Sequence, residues 1–339
     1  MSTVVKECIR FSLVSIMAMI SSTCFAVDDN QTAPFEQLEF GDTLDFEPDD
    51  WVRLQTDCDQ PYNCAQPCSG SVPNRHPLEQ LSLFGAIDGS KQPQDYGVNA
   101  DLGVRLRGQY SAPLAERYGI GYQIGSALTW SDNAVQVFEL LGEDTTRFQN
   151  FTTVGLFQRV GKWGWGGVFD YLYQDGFDDS SLGQFRGRLT YDITRNTQIG
   201  FTGRLRAFDD EAEFSGNSVT LRSINQGSLF LRHFFETGVQ TTCWFGLAEE
   251  HGESNAAFGA APAHDDAVVF GADFVAPLND SLALFGETNL MTPADTGTVD
   301  AFLGVAWYPF TNAKTAHRAR FSPMLPVAAP TSFSVDLLP

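Results

Sequence analysis

The chain has 339 residues, with 21 Lys plus Arg against 42 Asp plus Glu and a formal net charge of -21. That balance excludes nucleic acid and anionic lipid surfaces as partners held by bulk electrostatics. The 31 glycines and 13% aromatic residues fit a secreted β protein.

At the N-terminus, Lys6 and Arg10 precede an almost wholly apolar run from Phe11 to Ile20, and Ser21, Ser22 and Thr23 lead to Cys24-Phe25-Ala26. This pattern predicts a cleaved secretory signal over residues 1–26, cut after Ala26. A lipoprotein cut before Cys24 is the weaker alternative, because Ser21 stands where that motif wants an aliphatic residue. Removing Lys6, Arg10 and Glu7, a net +1, takes the mature chain from -21 to -22. No other apolar run approaches the roughly 20 residues of a spanning helix, so a further encounter with a membrane must use strands.

Residues 27–79 form an acidic, Pro-containing arm expected to stay outside any packed core and to face the periplasm, with a partner that the sequence does not identify. It carries Cys58, Cys64 and Cys68, and Cys243 is the fourth cysteine of the mature chain. In an oxidising compartment these four are disulfide candidates. The spacing Cys-x5-Cys-x3-Cys without a nearby His matches no zinc pattern, so no metal or other cofactor is expected.

From 80 to 310 the apolar residues alternate. Val98, Ala100, Leu102, Val104, Leu106 and Tyr110 share one face while Asn99, Asp101, Arg105, Arg107 and Gln109 share the other, a period of two. Eleven further runs repeat the pattern, giving twelve strands. Their connections alternate between short (111–117, 161–163, 194–197, 237, 277–280) and long (88–96, 131–147, 174–181, 209–225, 249–266, 291–298). An all-β, antiparallel up-and-down transmembrane barrel of about twelve strands, with short periplasmic turns and long outer loops, has this rhythm. Periodicity alone leaves open a soluble barrel with oil inside. Aromatics near strand ends (Tyr110, Tyr118, Trp130, Tyr173, Phe208, Trp307, Tyr308) and a wet face rich in Gly and Arg favour the inverted, lipid-facing arrangement. Residues 311–339 are read as a C-terminal tail.

Three stretches carry a resemblance: Gly85 to Asp95, Ser131 to Glu139 and Thr152 to Arg159. Over about Leu81 to Phe208 the chain resembles an uncharacterised family of planctomycete secreted proteins without assigned activity, which implies an exported protein and no mechanism. More broadly it resembles porin-like outer-membrane barrels, with Gly304, Trp307, Tyr308 and Phe310 partly fitting their last strand.

Arginine dominates the wet face. A three-residue hairpin loop at Arg195, Asn196 and Thr197 pairs Thr194 with Gln198, Arg188 with Arg204 and Arg186 with Arg206. Such a block needs acidic partners, anions or water. The pore-lining candidates are Arg105, Arg107, Arg186, Arg188, Arg204 and Arg206 with Asp101, Asp192, Asp273 and Glu287; Asp170 also shares the inward face. One reading is a passive, porin-like channel for small, anionic solutes; the other is a closed structural or surface-binding barrel stiffened by a salt-bridged lumen. No enzyme is expected. None of His233, His251 and His264 begins a His-x-Ser motif, and no Gly-x-Ser-x-Gly elbow occurs. The expected surroundings are outer-membrane lipid, small solutes and no nucleic acid.

Overall fold

The computed structural model describes residues 76–95, 100–133, 146–214, 217–252, 267–292 and 298–338. The signal segment, nearly all of the arm and Cys58, Cys64 and Cys68 lie outside the described residues.

Twelve antiparallel strands close into a barrel: β1 (Ser82–Lys91), β2 (Asp101–Ala115), β3 (Ile120–Asn133), β4 (Arg147–Val160), β5 (Trp163–Asp175), β6 (Asp179–Asp192), β7 (Thr197–Phe208), β10 (Gln226–Phe234), β11 (Gln240–Ala248), β12 (Ala267–Pro277), β13 (Leu282–Thr292) and β14 (Val299–Trp307). Strand β1 pairs with β2 on one side and with β14 on the other, Leu83 opposite Trp307 and Lys91 opposite Val299. Closure leaves no unpaired barrel edge, the condition for strands in lipid. Strands of 9 to 15 residues meet the roughly 9–11 that a tilted span requires.

Burial decides which face is inside. In β2, Leu102, Val104 and Leu106 are more than half exposed, whereas Asp101, Arg105 and Gln109 are buried. Leu229, Phe245 and Leu303 continue the exposed apolar surface around the wall. A soluble protein inverts this pattern; a lipid-facing barrel needs it. Aromatic rings gather at both rims. Trp163 lies 4.7 Å from Tyr191 at the short-turn end, and Trp130 lies 5.4 Å from Phe148 at the long-loop end. Tyr308 does not join the rim. It is buried and turned inward, in the cluster of Phe84, Phe285 and Phe302.

Two expectations are corrected. The connection 174–181 is a three-residue turn at 176–178, because the ladder of β5 and β6 runs on to Asp175 opposite Asp179. The polar side chains that suggest a loop there belong to the wet face: Gln174 and Ser180 are buried inside. The β6–β7 hairpin also closes two residues earlier than the assumed loop. Ile193 N and Thr194 N both donate to Thr197 O, at 3.0 and 3.2 Å. Asp192 therefore faces Gln198, Arg186 faces Arg204, Arg188 faces Thr202 and Arg206 faces Gln184. A two-residue slip keeps every side chain on its predicted face, where a one-residue slip would have inverted them.

Beyond the wall, β8 (Asp210–Phe214) and β9 (Asn217–Ser223) form a hairpin between β7 and β10, and β15 (Val335–Leu338), near the C-terminus, adds to β9 as a third strand. That pairing sets the course of the tail.

Candidate functional site in the barrel lumen

The C-terminal segment leaves β14 at the short-turn end and crosses that mouth. Ala313 N donates to Asp280 O at 2.7 Å, Tyr308 Oη lies 2.9 Å from His317 Nε2, and Arg318 Nη2 donates to Asn196 Oδ1 at 2.9 Å. It then threads the lumen from Phe321 to Ser334 and emerges as β15 at the opposite end. Most of this strap is buried, with Leu325, Ala328, Phe333 and Val335 wholly so.

Side chains of the wall seat it. Gln123 Nε2 donates to Leu325 O at 2.6 Å while its Oε1 accepts from Met324 N at 3.0 Å. Gln109 treats Leu325 O and Val327 N the same way, at 3.2 and 3.3 Å. Nearer the long loops, Gln92 accepts from Val335 N at 3.0 Å and donates to Pro330 O at 3.0 Å. A glutamine amide offers one donor and one acceptor side by side, so it pairs with an extended backbone as a neighbouring strand would. Ala328 N donates to Thr153 Oγ1 at 2.9 Å. Inward glycines leave the room: a Cβ on Gly164 would stand 2.9 Å from Met324 Cε, and one on Gly125 would overlap Val327 Cγ2. Phe333 packs against Phe151, ring centres 5.9 Å apart, in a cluster with Leu172, Leu182 and Leu221.

The arginines divide into two sets. Towards the long loops Arg105 ion-pairs with Asp88, and Arg147 with Asp95 and Asp101. Asp300 accepts from Ser90 Oγ at 2.7 Å. Burial raises the Asp95 carboxyl above its ordinary range, with Arg147 and the Gln92 N–H acting in the opposite direction. Burial also raises Asp336, in β15, against the Gly252 N–H and Arg222.

Midway along the lumen the partners change. Arg186 is ion-paired with Asp170 and also donates to Pro326 O at 2.7 Å. Arg188 donates to Met324 O at 3.0 Å, Arg159 to Ser322 O at 2.6 Å, and Arg204 to Gln226 Oε1 at 2.9 Å and Thr331 O at 3.4 Å. Beside the strap remains a cavity of about 150 Å³, onto which Arg107, Arg159, Arg186, Arg188, Arg204 and Arg232 open together with Asp273 and Glu287. The tail residue His317 also borders it, its imidazole pushed down to about 4 by burial, with Arg232 and Arg107 adding to the shift.

Of the predicted residues, Arg107, Arg186, Arg188, Arg204, Asp273 and Glu287 thus meet at one cavity. Arg105 and Asp101 belong to the charge-paired set. Arg206 lies apart with Glu249 and Asp209, and Asp192 accepts from Gln198 Nε2 at 2.8 Å. Cys243 stands on the outward face of β11. Sequence reasoning passed over Arg147, Arg159 and Arg232, although each sits at inward parity in its strand. It also passed over the strap, whose residues 321–335 carry no charge, unlike the acidic arm.

Among solved structures, similar barrels include the translocator domain of the autotransporter NalP from Neisseria meningitidis, at 12% identity over 67% of this chain and 88% of that one, TM-score 0.41. The NanC porin matches at 10% over 66% and 98%, TM-score 0.39. The outer membrane phospholipase A from Escherichia coli matches at 8% over 69% and 98%, TM-score 0.37. These likenesses concern the barrel alone. No curated protein matches the sequence. The profile of a family of unknown function, DUF6666, matches residues 80–335, from the start of the barrel into β15, and the chain belongs to that family.

Proposed function

We propose that this protein is an outer-membrane barrel, exported by its N-terminal signal, that its own C-terminal segment holds closed, with a structural or surface-binding role and no catalytic one. The observation that carries this reading is the strap itself. Residues 321–334 fill the space that a passive channel would leave open, seated by side-chain bonds from six wall strands, β2, β3, β4, β6, β7 and β10, and from Gln92 just past β1. Its exit strand β15 pairs with β9, tying it to the long-loop end.

A second reading, a porin-like path for small anionic solutes, is favoured by one observation, the arginine-lined cavity beside the strap. In that reading Arg107, Arg188 and Arg204 are the filter. Conductance in a planar bilayer separates the two. The full mature chain is expected to be silent and a chain ending at Phe310 to conduct in discrete steps with anion preference, read from the reversal potential in a salt gradient. Gly164→Leu, which drives a side chain into the seat of Met324, supplies a full-length variant expected to conduct as well. Steps from a full-length chain whose strap stays protected from carboxypeptidase would overturn the closed-barrel reading in favour of the channel.

A further inference from the structure

We propose that the cavity beside the strap is a binding site for a small multivalent oxyanion of the phosphate or sulfate type. The inference rests on the seated strap of the closed-barrel reading and goes beyond it to a ligand. The cavity leaves about 150 Å³ of space to a water-sized sphere, room for a tetrahedral oxyanion and a few waters, since one water needs roughly 10–15 Å³ of such space.

Charge carries the argument. Of the six arginines around the cavity only Arg186 has a carboxylate at ion-pairing distance among the described residues. Arg159, Arg188 and Arg204 bond to carbonyl oxygens of the strap. A carbonyl satisfies a donor and leaves the net charge in place, and charge buried without a counter-charge is costly. The strap contributes no carboxylate between Phe321 and Val335. Five guanidinium groups without an ion pair therefore meet three carboxylates: Asp273 and Glu287, which face each other across β12 and β13, and Asp192, whose charge acts on Arg159 and Arg232. Two positive charges remain over.

Donors are left over as well. Arg107 is held by the ring of Phe84 at 4.5 Å and that of Phe285 at 5.2 Å, and has no hydrogen-bond acceptor among the described residues. Ring faces fix a guanidinium without consuming its N–H groups. Arg232 spends only Nε, on Thr242 Oγ1 at 3.0 Å. Arg188 and Arg232 both lie against the Phe230 ring, at 5.1 and 5.6 Å, and share with Arg107 the lining of the one cavity. Planar guanidinium forks aimed at a common space match the oxygens of a tetrahedral anion.

The test is calorimetric titration of the refolded full-length chain in neutral detergent with inorganic phosphate, then sulfate, over a chloride background. Hydrogen exchange of residues 322–334 is followed in the same samples. One phosphate per chain is expected. Arg107→Gln and Arg232→Gln should each weaken binding at least about ten-fold, and Arg107→Lys should recover part of the loss. Arg117→Gln, in the exposed turn between β2 and β3 and away from the cavity lining, should leave binding unchanged. Phosphate held equally well by Arg107→Gln and Arg232→Gln overturns the site. So does absence of binding while the strap stays protected, and that result leaves the closed barrel standing. An unprotected strap overturns the closed barrel; binding that persists there still supports the site, and binding lost there removes both.

Discussion

The two reaches of the lumen use the same residue type on the same face and reach opposite electrostatic outcomes. Towards the long loops Arg105 and Arg147 meet Asp88, Asp95 and Asp101. Midway, Arg159, Arg188 and Arg204 meet the main chain of the strap. The first arrangement cancels charge and fixes the wall. The second fixes the strap and leaves a positive field beside it. An arginine ladder is therefore neither a pore lining nor a plug by itself; what stands across from each guanidinium decides.

Substitutions that exploit this contrast have graded effects. Arg105→Gln strands the Asp88 carboxylate in a site where the arginine is 0% exposed. The loss should be about 3–5 kcal/mol of unfolding free energy, as for other broken buried pairs, read from denaturant unfolding in detergent. Replacing both partners, Asp88→Asn with Arg105→Gln, should recover much of it, since no lone charge remains.

Acid comes next. His317 is held neutral, with its pKa near 4 against an ordinary 6.5, so a chain with the strap withdrawn takes up the proton more readily than the seated one. Seating is complete above pH 6.5, weakens as the pH falls, and reaches its full loss below about pH 4. For a half-buried ring the loss is roughly 2 kcal/mol. Lower protection factors for residues 322–334 at pH 4.5 than at pH 7.5, with the intrinsic pH dependence of amide exchange divided out, and loss of that difference in His317→Gln, are the expected result.

Arg188→Gln should cost least, about 1 kcal/mol, because it removes bonds to Met324 O and Thr202 Oγ1 while relieving like-charge repulsion. If it cost as much as Arg105→Gln, the distinction between the two reaches would collapse.

The barrel was legible because a strand's alternation is local. Leu102, Val104 and Leu106 against Asp101, Arg105 and Gln109 announce a two-faced strand whatever their partners are, and twelve such runs give an even, closable sheet. The turn at 176–178 was not legible, since polar residues that line a lumen look the same as polar residues of a loop. Nor was the slip in the β6–β7 hairpin: it depends on which carbonyl Ile193 N and Thr194 N find, a matter of turn geometry that residue types left open. The luminal glutamines stood at inward parity throughout, but an amide marks a backbone partner only once that backbone is present.

By itself the sequence determined the strand count, the two faces and the candidate residues on the inner one, because each follows from neighbours two positions apart. The outward direction of the apolar face was favoured by the rim aromatics and the Gly- and Arg-rich wet face; only the tertiary structure decided that Arg188 faces Thr202 and that the tail returns through the lumen. Those outcomes depend on segments far apart in the chain, such as Leu325 beside Gln123, and on a closed wall that gives an uncharged, Pro-containing strap somewhere to be buried.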